Sequence, residues 1–200
     1  RASAASRFAT GLPQAGDSVA TSFQFGSREP VSRSKVHTSV ISRICFGSPS
    51  ITSPARFVVA VASSTGGPSA LLHVLSRLPA TFPGAVVIAQ HMAPSFTRTF
   101  AERLNRTTPL SVREAQDGDI LFAGHAFVCP GGSCIVLKRD VGALRVGVVA
   151  PTEHDRYVPS GNRLFKSAAE VVGARTVALV LTGMADDGVA GARAVRAAGG

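Results

Sequence analysis

Nowhere in the 200 residues does an apolar run approach the roughly 20 residues needed to cross a bilayer, so direct membrane insertion is not expected. The opening stretch, RASAASRFAT, has neither a start methionine nor an apolar core. It does not read as a secretory signal, and the chain reads as an excerpt of something longer. Its Arg, Ala and Ser content without acids leaves organelle targeting as a minor alternative to the expected cytoplasmic location. Cysteine is scarce. Cys45, Cys129 and Cys134 form no metal or redox spacing, and an odd number without a secretory signal fits a reducing compartment. Cys129 and Cys134 flank PGGS and could face each other across a turn, but two small buried side chains is the favoured reading. HExxH and CxxC are missing, which removes the usual grounds for a metal site, and no cofactor is expected.

Acids are missing from a long interval: none occurs between Pro30 and Ala101. The formal net charge is +9. Residues 1–55 carry six Lys/Arg against two acids, a balance of +4, and the rest supplies +5. A basic chain can meet nucleic acid or an acidic protein surface. Here the cations are scattered, so a solvated surface is the favoured reading and nucleic acid is not an expected partner.

What is present is a globular pattern, with 45% hydrophobic residues and a mean hydropathy of +0.24. Residues 1–55 are rich in Ser, Thr and Arg without sustained periodicity, and read as a linker or tail. From Arg56 onward the pattern changes. RFVVAVA, GAVVIAQ, LSVREA and TVALVL are short strand-like runs. SALLHVLSRL, SFTRTFAERL, SGNRLFKSAAEVV and DGVAGARAVRAAGG have helical spacing. Buried strands alternating with helices predict an α/β domain over 56–200, with a doubly wound, mostly parallel, Rossmann-like sheet. HAFVCPGGSCIVLKR and ALRVGVVA predict an antiparallel hairpin insert.

Ligands of such sheets bind at the carboxyl ends of the strands. Ser63 and Ser64 follow the first strand, His91 the second, and Asp186 and Asp187 the last. A hydroxyl nucleophile needs a base, and the base needs an acid to fix its tautomer. The three strand ends supply all three roles. Spacing alone does not choose between the two serines or between the two aspartates. Asp187 also reads as a helix N-cap, and His91 as a strand-end histidine bonded to backbone. The SSTGG turn could cradle an anion or an oxyanion with its helix amides. It lacks GxGxxG, the Lys-Ser/Thr ending of a P-loop and a following acid for a ribose, so a dinucleotide reading fits poorly. It is not the G-x-S-x-G elbow either.

From about Phe57 to the end, the chain resembles the catalytic domain of the chemotaxis protein-glutamate methylesterases, the CheB family. The resemblance rests on ASSTGGPSAL, QHMAPSFTRTFAERLN, EAQDGDIL with AGHAFVCPGG, PS with LFKSAA, and LTGMADDGVAGARAVRAAGG, in family order and at near-family spacing. It implies a Ser64–His91–Asp187 triad, with backbone amides near Thr65 and Met184 as the oxyanion hole. It implies hydrolysis of glutamyl methyl esters on methyl-accepting chemotaxis receptors, often with deamidation of glutamines, and an upstream phospho-receiver domain that regulates most members. Phe96 and Arg98, beside the base, are rim candidates for substrate, with packing and surface charge as the equal alternative.

Ala62 and Ala185 stand where the family usually has glycine, so either turn is expected to differ slightly, and Asn162 stands where many members carry aspartate. The family continues past the position of Gly200, so this chain is expected to lack part of its sheet and of its active-site wall. Two other readings stay open: an esterase or amidase of another signalling pathway, and an inactive or anion-binding module using STGG.

Overall fold

The structure, a computed structural model, describes residues 53–183 and 186–200. All but the last three residues of the expected tail, together with Cys45, Met184 and Ala185, lie outside the described residues. Pairing begins before Arg56: Pro54 bridges Phe122, and Ala55 is buried with its N–H on Leu121 O at 3.0 Å.

Five strands form one parallel sheet in the order β3-β4-β2-β1-β7. These are β1 (Val58–Ser63), β2 (Ala85–Gln90), β3 (Ser111–Glu114), β4 (His125–Val128) and β7 (Thr176–Val180). β2 is buried at every position, as expected of a strand covered on both faces. Among the described residues four α-helices connect and cover them: α1 (Gly67–Leu75), α2 (Pro94–Thr107), α3 (Gly161–Val172) and α4 (Val189–Ala197). The chain leaves β1 for β2 on one side and returns to β7 on the other. β1 is therefore the switch point, where open α/β sheets place their ligands. Among the described residues no helix is long and apolar enough to cross a membrane.

α3 shows how the sequence sets the layers. Leu164, Phe165, Ala168, Ala169 and Val172 recur at helical spacing and are all buried. Burying Phe165 alone is worth about 1.5–3 kcal/mol. Ser160 caps the helix by accepting from Arg163 N at 3.2 Å, and Gly173 ends it at φ +63°. The first turn of α3 lies directly on β1: a Cβ at Gly161 would come within 2.5 Å of the Ala62 methyl.

Two expectations change. The segment expected to enter the hairpin whole is split. HAFV joins the parallel sheet as β4, and only β5 (Cys134–Asp140) and β6 (Ala143–Val149) form the antiparallel pair. An apolar run gives both strands the same pattern, and CPGGS separates them. Pro130 has no N–H to donate, and Gly132 turns the chain at φ +75°. Ala62 does not sit in a turn. It lies within β1, and among the described residues Val141 is the single non-glycine at positive φ.

Candidate active site

β1 and β2 are paired to their last residues, Ser63 opposite Gln90. Just beyond, a buried polar knot ties the two strand ends together. Ser63 Oγ donates to Gln90 Oε1 at 2.7 Å, while Gln90 Nε2 donates to Ser64 O and to His91 O, each at 2.9 Å. Gln90 is 1% exposed, and its amide oxygen and both amide protons are used. This arrangement leaves no room for a side chain at the first residue of α1: a Cβ at Gly67 would stand 2.0 Å from Gln90 Oε1. Gly66, at φ +78°, makes the sharp turn between strand and helix.

The two serines separate on this geometry. Ser63 is buried, with its hydroxyl spent on Gln90. Ser64 is half-buried and its backbone is pinned at both ends. Its N–H donates to Thr182 O at 2.9 Å, and its carbonyl accepts from Gly67 N at 2.8 Å as well as from Gln90. Ser64, His91, Asp187, Thr182 and Gly183 line one small cavity of about 40 Å³.

The aspartates separate too. Asp187 Oδ2 lies 3.0 Å from His91 Nε2, and the carboxylate is buried. It also accepts from the first two amides of α3, Gly161 N at 2.6 Å and Asn162 N at 2.9 Å. Burial pushes its carboxyl up, but the bonds from His91, Gly161 and Asn162 outweigh this and hold it below the ordinary carboxylate range. Asp187 is not the N-cap that its position suggested, since Ser160 fills that role in α3. Gly188 occupies the N-cap of α4, whereas Asp187 serves the N-terminus of α3, the favourable end for an anion. Asn162 extends the tie, accepting from Gly191 N at 2.8 Å. Asp186 is exposed and accepts from the Tyr157 hydroxyl at 2.8 Å.

Among the described residues no hydrogen bond joins Ser64 Oγ to His91, and the Thr65 N–H donates to nothing. Met184 lies outside the described residues. Phe96 is 61% exposed at the start of α2, and Arg98 pairs loosely with Glu102 at 3.4 Å; neither lines the Ser64 cavity. Cys129 and Cys134 are both free and buried, and burial pushes the Cys129 thiol up to about 12. Among the described residues no three His, Cys, Asp or Glu side chains gather as a metal site would require.

Sequence reasoning did not single out Gln90, Tyr157 or the α3 amides. Gln90 stood in the QHM motif, where its place as the last residue of a fully apolar strand was the available signal. Tyr157 left none, since its loop carries no periodicity.

Residues 59–200 match the CheB methylesterase family. The chain is 52% identical over 143 residues to protein-glutamate methylesterase/protein-glutamine glutaminase 3 of Geobacter sulfurreducens, covering 72% of this chain and 38% of that protein. It is 48% identical over 143 residues to the corresponding protein 1 of Myxococcus xanthus, covering 72% and 41%. The chain thus spans about two fifths of the length of the curated relatives it matches. The fold matches the crystal structure of the Thermotoga maritima CheB methylesterase catalytic domain with a TM-score of 0.69 at 36% identity, covering 72% of this chain and 76% of that one. On sequence and fold alike, the chain belongs to the CheB methylesterase family.

Proposed function

We propose that this domain hydrolyses glutamyl methyl esters on methyl-accepting chemoreceptors, and deamidates glutamines there, with Ser64 as nucleophile, His91 as base and Asp187 as the orienting acid. The relatives' names support the substrate class. The observation that carries the mechanism is the His91–Asp187 bond of 3.0 Å, made by two residues that line the same cavity as Ser64.

Asp187 is held in its ionised form and can only accept, so His91 Nε2 carries the proton of that bond. The lone pair is then on Nδ1, which is the basic atom. The mechanism requires the Ser64 hydroxyl to reach Nδ1 across the cavity that both residues line, a bond that commonly tightens only when substrate is present. Nδ1 takes the proton as Oγ attacks the ester carbonyl. The developing oxyanion is met by the Thr65 N–H, which has no other acceptor among the described residues. The tetrahedral species collapses, Nδ1–H protonates the departing methoxide and methanol leaves. Water then attacks the acyl-enzyme, giving its proton to Nδ1, and the carboxylate is released with Ser64 restored. With a glutamine substrate ammonia leaves in place of methanol.

The test is methanol release from methylated receptor. Ser64→Ala and His91→Ala are each expected to lose about 10⁴-fold or more in rate, as members of a triad that act as a unit. Ser63→Ala is expected to lose far less. Near wild-type turnover in Ser64→Ala would sink the assignment. Equal turnover of short generic esters and methylated receptor would move the substrate to another pathway.

A further inference from the structure

The chain has a single tyrosine, and its ring lies against His91 with centroids 5.6 Å apart and planes 19° from parallel. We propose that Tyr157 is a positioning residue: it holds the face of the His91 imidazole while Asp187 holds its edge, and Asp186 anchors Tyr157 in turn. The inference rests on the proposed role of His91 as base.

The imidazole is tethered covalently at Cγ and held by one hydrogen bond at Nε2, which leaves it able to turn about the line between those two atoms. The bond from Nε2 to Asp187 therefore sets the distance of the imidazole, not its plane. A second restraint is needed to aim Nδ1 at Ser64, and a stacked ring provides it. The tyrosine is itself held. Its hydroxyl donates to Asp186 Oδ1 at 2.8 Å, Arg156 Nη1 lies 3.6 Å from the same oxygen, and the Arg156 guanidinium sits 5.3 Å from the ring centroid. The loop is tied at its base. Asp155 accepts from Thr152 N at 2.7 Å, Thr152 Oγ1 at 2.9 Å and Arg163 Nη1 at 2.8 Å, and Arg163 also donates to Ala150 O. Asp155 is well buried in that bridge, with 7% side-chain exposure. Consecutive aspartates thus divide the work: Asp187 reaches the imidazole directly and Asp186 reaches it through the tyrosine.

The arrangement also explains why an exposed aspartate and a half-buried tyrosine share a bond. An isolated surface contact of this kind contributes little to stability. Here it sets where the ring lies, and near-attack geometry is sensitive to displacements of the base of about 1 Å.

The test compares Tyr157→Ala, Tyr157→Leu, Tyr157→Phe and Asp186→Ala in the full chain. Two readouts are taken: steady-state hydrolysis of methylated receptor, and the His91 ring-proton resonances without substrate. Stacking shields those protons, so Tyr157→Ala is expected to move them downfield. It is also expected to lower kcat by about tenfold with KM nearly unchanged, a loss of the size of one aromatic contact. Tyr157→Leu keeps an apolar side chain and should match the alanine variant, which separates stacking from packing. Tyr157→Phe keeps the ring but loses its anchor, so it should retain part of the shielding and lose about two- to fourfold in kcat, less than the alanine variant. Asp186→Ala should resemble Tyr157→Phe, and the double variant should be no worse than either, since both remove the same bond. Unmoved His91 resonances, or a change confined to KM, would overturn the proposal. A chain that hydrolyses no ester but whose His91 signals still move with Tyr157→Ala keeps the clamp and loses the functional assignment instead.

Discussion

At the carboxyl end of β1 and β2, the buried polar groups Ser63, Gln90 and Asp187 are each hydrogen-bonded, and their partners come from three different parts of the chain. At the far end of the β5–β6 hairpin the polar groups face water. Lys138 and Asp117 pair at 3.2 Å with about half of each side chain exposed, and Val141 at the tip is 95% exposed. Both regions are rich in polar contacts. Only the first excludes water, so only there does losing a partner leave an unmet donor or acceptor. Burial separates the two ends, and substitutions should break them very differently.

The largest effect is expected at Asp187. Asparagine cannot accept at both positions and present only oxygen to His91 Nε2, Gly161 N and Asn162 N. One donor is left facing an amide group, at a cost of about 1–3 kcal/mol. In kcat the loss should be about 10⁴-fold, the scale set by a base held in the wrong tautomer. The pH dependence has a definite sign. Asp187 titrates below its ordinary 3.8 in the folded state, so its contribution to stability is fully present above that value and is lost as the pH falls through the folded pKa. Thermal melts from pH 7 to pH 2.5 should therefore show a weaker acid dependence in Asp187→Asn than in the wild type. An unchanged slope would mean the carboxylate is not stabilised by these bonds.

Gly67→Ala sharpens the same comparison through space instead of charge. In most helices the exchange stabilises slightly. Here the added methyl would meet Gln90 Oε1 at 2.0 Å and Ser63 Cβ at 2.9 Å. Gln90 must turn away, so the Ser63 hydroxyl and the His91 carbonyl lose their bonds to it, and the Ser64 carbonyl keeps only the bond from Gly67 N. We expect about 1–3 kcal/mol of destabilisation by denaturant titration, together with a fall in kcat because Ser64 is carried on that turn. Gly142 in the hairpin is the counterpoint. A Cβ there meets nothing within 4 Å, and glycine is used for its φ of +78° alone. A Gly67→Ala variant as stable and as active as the parent would show that the knot at β1 and β2 yields easily.

Much of this site was legible in the sequence because it obeys strand-end rules. Ser64, His91 and Asp187 each follow a short apolar run, and parallel topology brings such positions to one edge. Spacing alone did not make the choice within each pair, which only the family resemblance offered, because the choice depends on partners distant in sequence. Ser63 is committed by Gln90, 27 residues on, and Asp187 by the amides of Gly161 and Asn162, about 26 residues back. Tyr157 was invisible for the same reason, carried by a loop without a period. The split between β4 and the hairpin was hidden by equal hydrophobicity on both sides of CPGGS. Ala62 looked like a departure in a turn, but its methyl is the surface on which Gly161 packs.

The smallest expected effect lies at the hairpin tip. Val141 is a β-branched residue at φ +45°, next to Gly142 at φ +78°, the pairing of two left-handed residues that a tight two-residue turn requires. β-branched side chains tolerate that region poorly, at about 1–2 kcal/mol, and Val141 recovers little through burial because it is almost fully exposed. Asparagine adopts the same conformation readily and precedes glycine in the most favoured turns of this type. Val141→Asn should therefore raise stability by about 1 kcal/mol in a denaturant titration while leaving kcat and KM unchanged. Loss of stability would show that the valine makes a contact worth more than its strain. Loss of activity would show that the two ends of the molecule are coupled, although no hydrogen bond among the described residues runs from the tip to the Ser64 cavity.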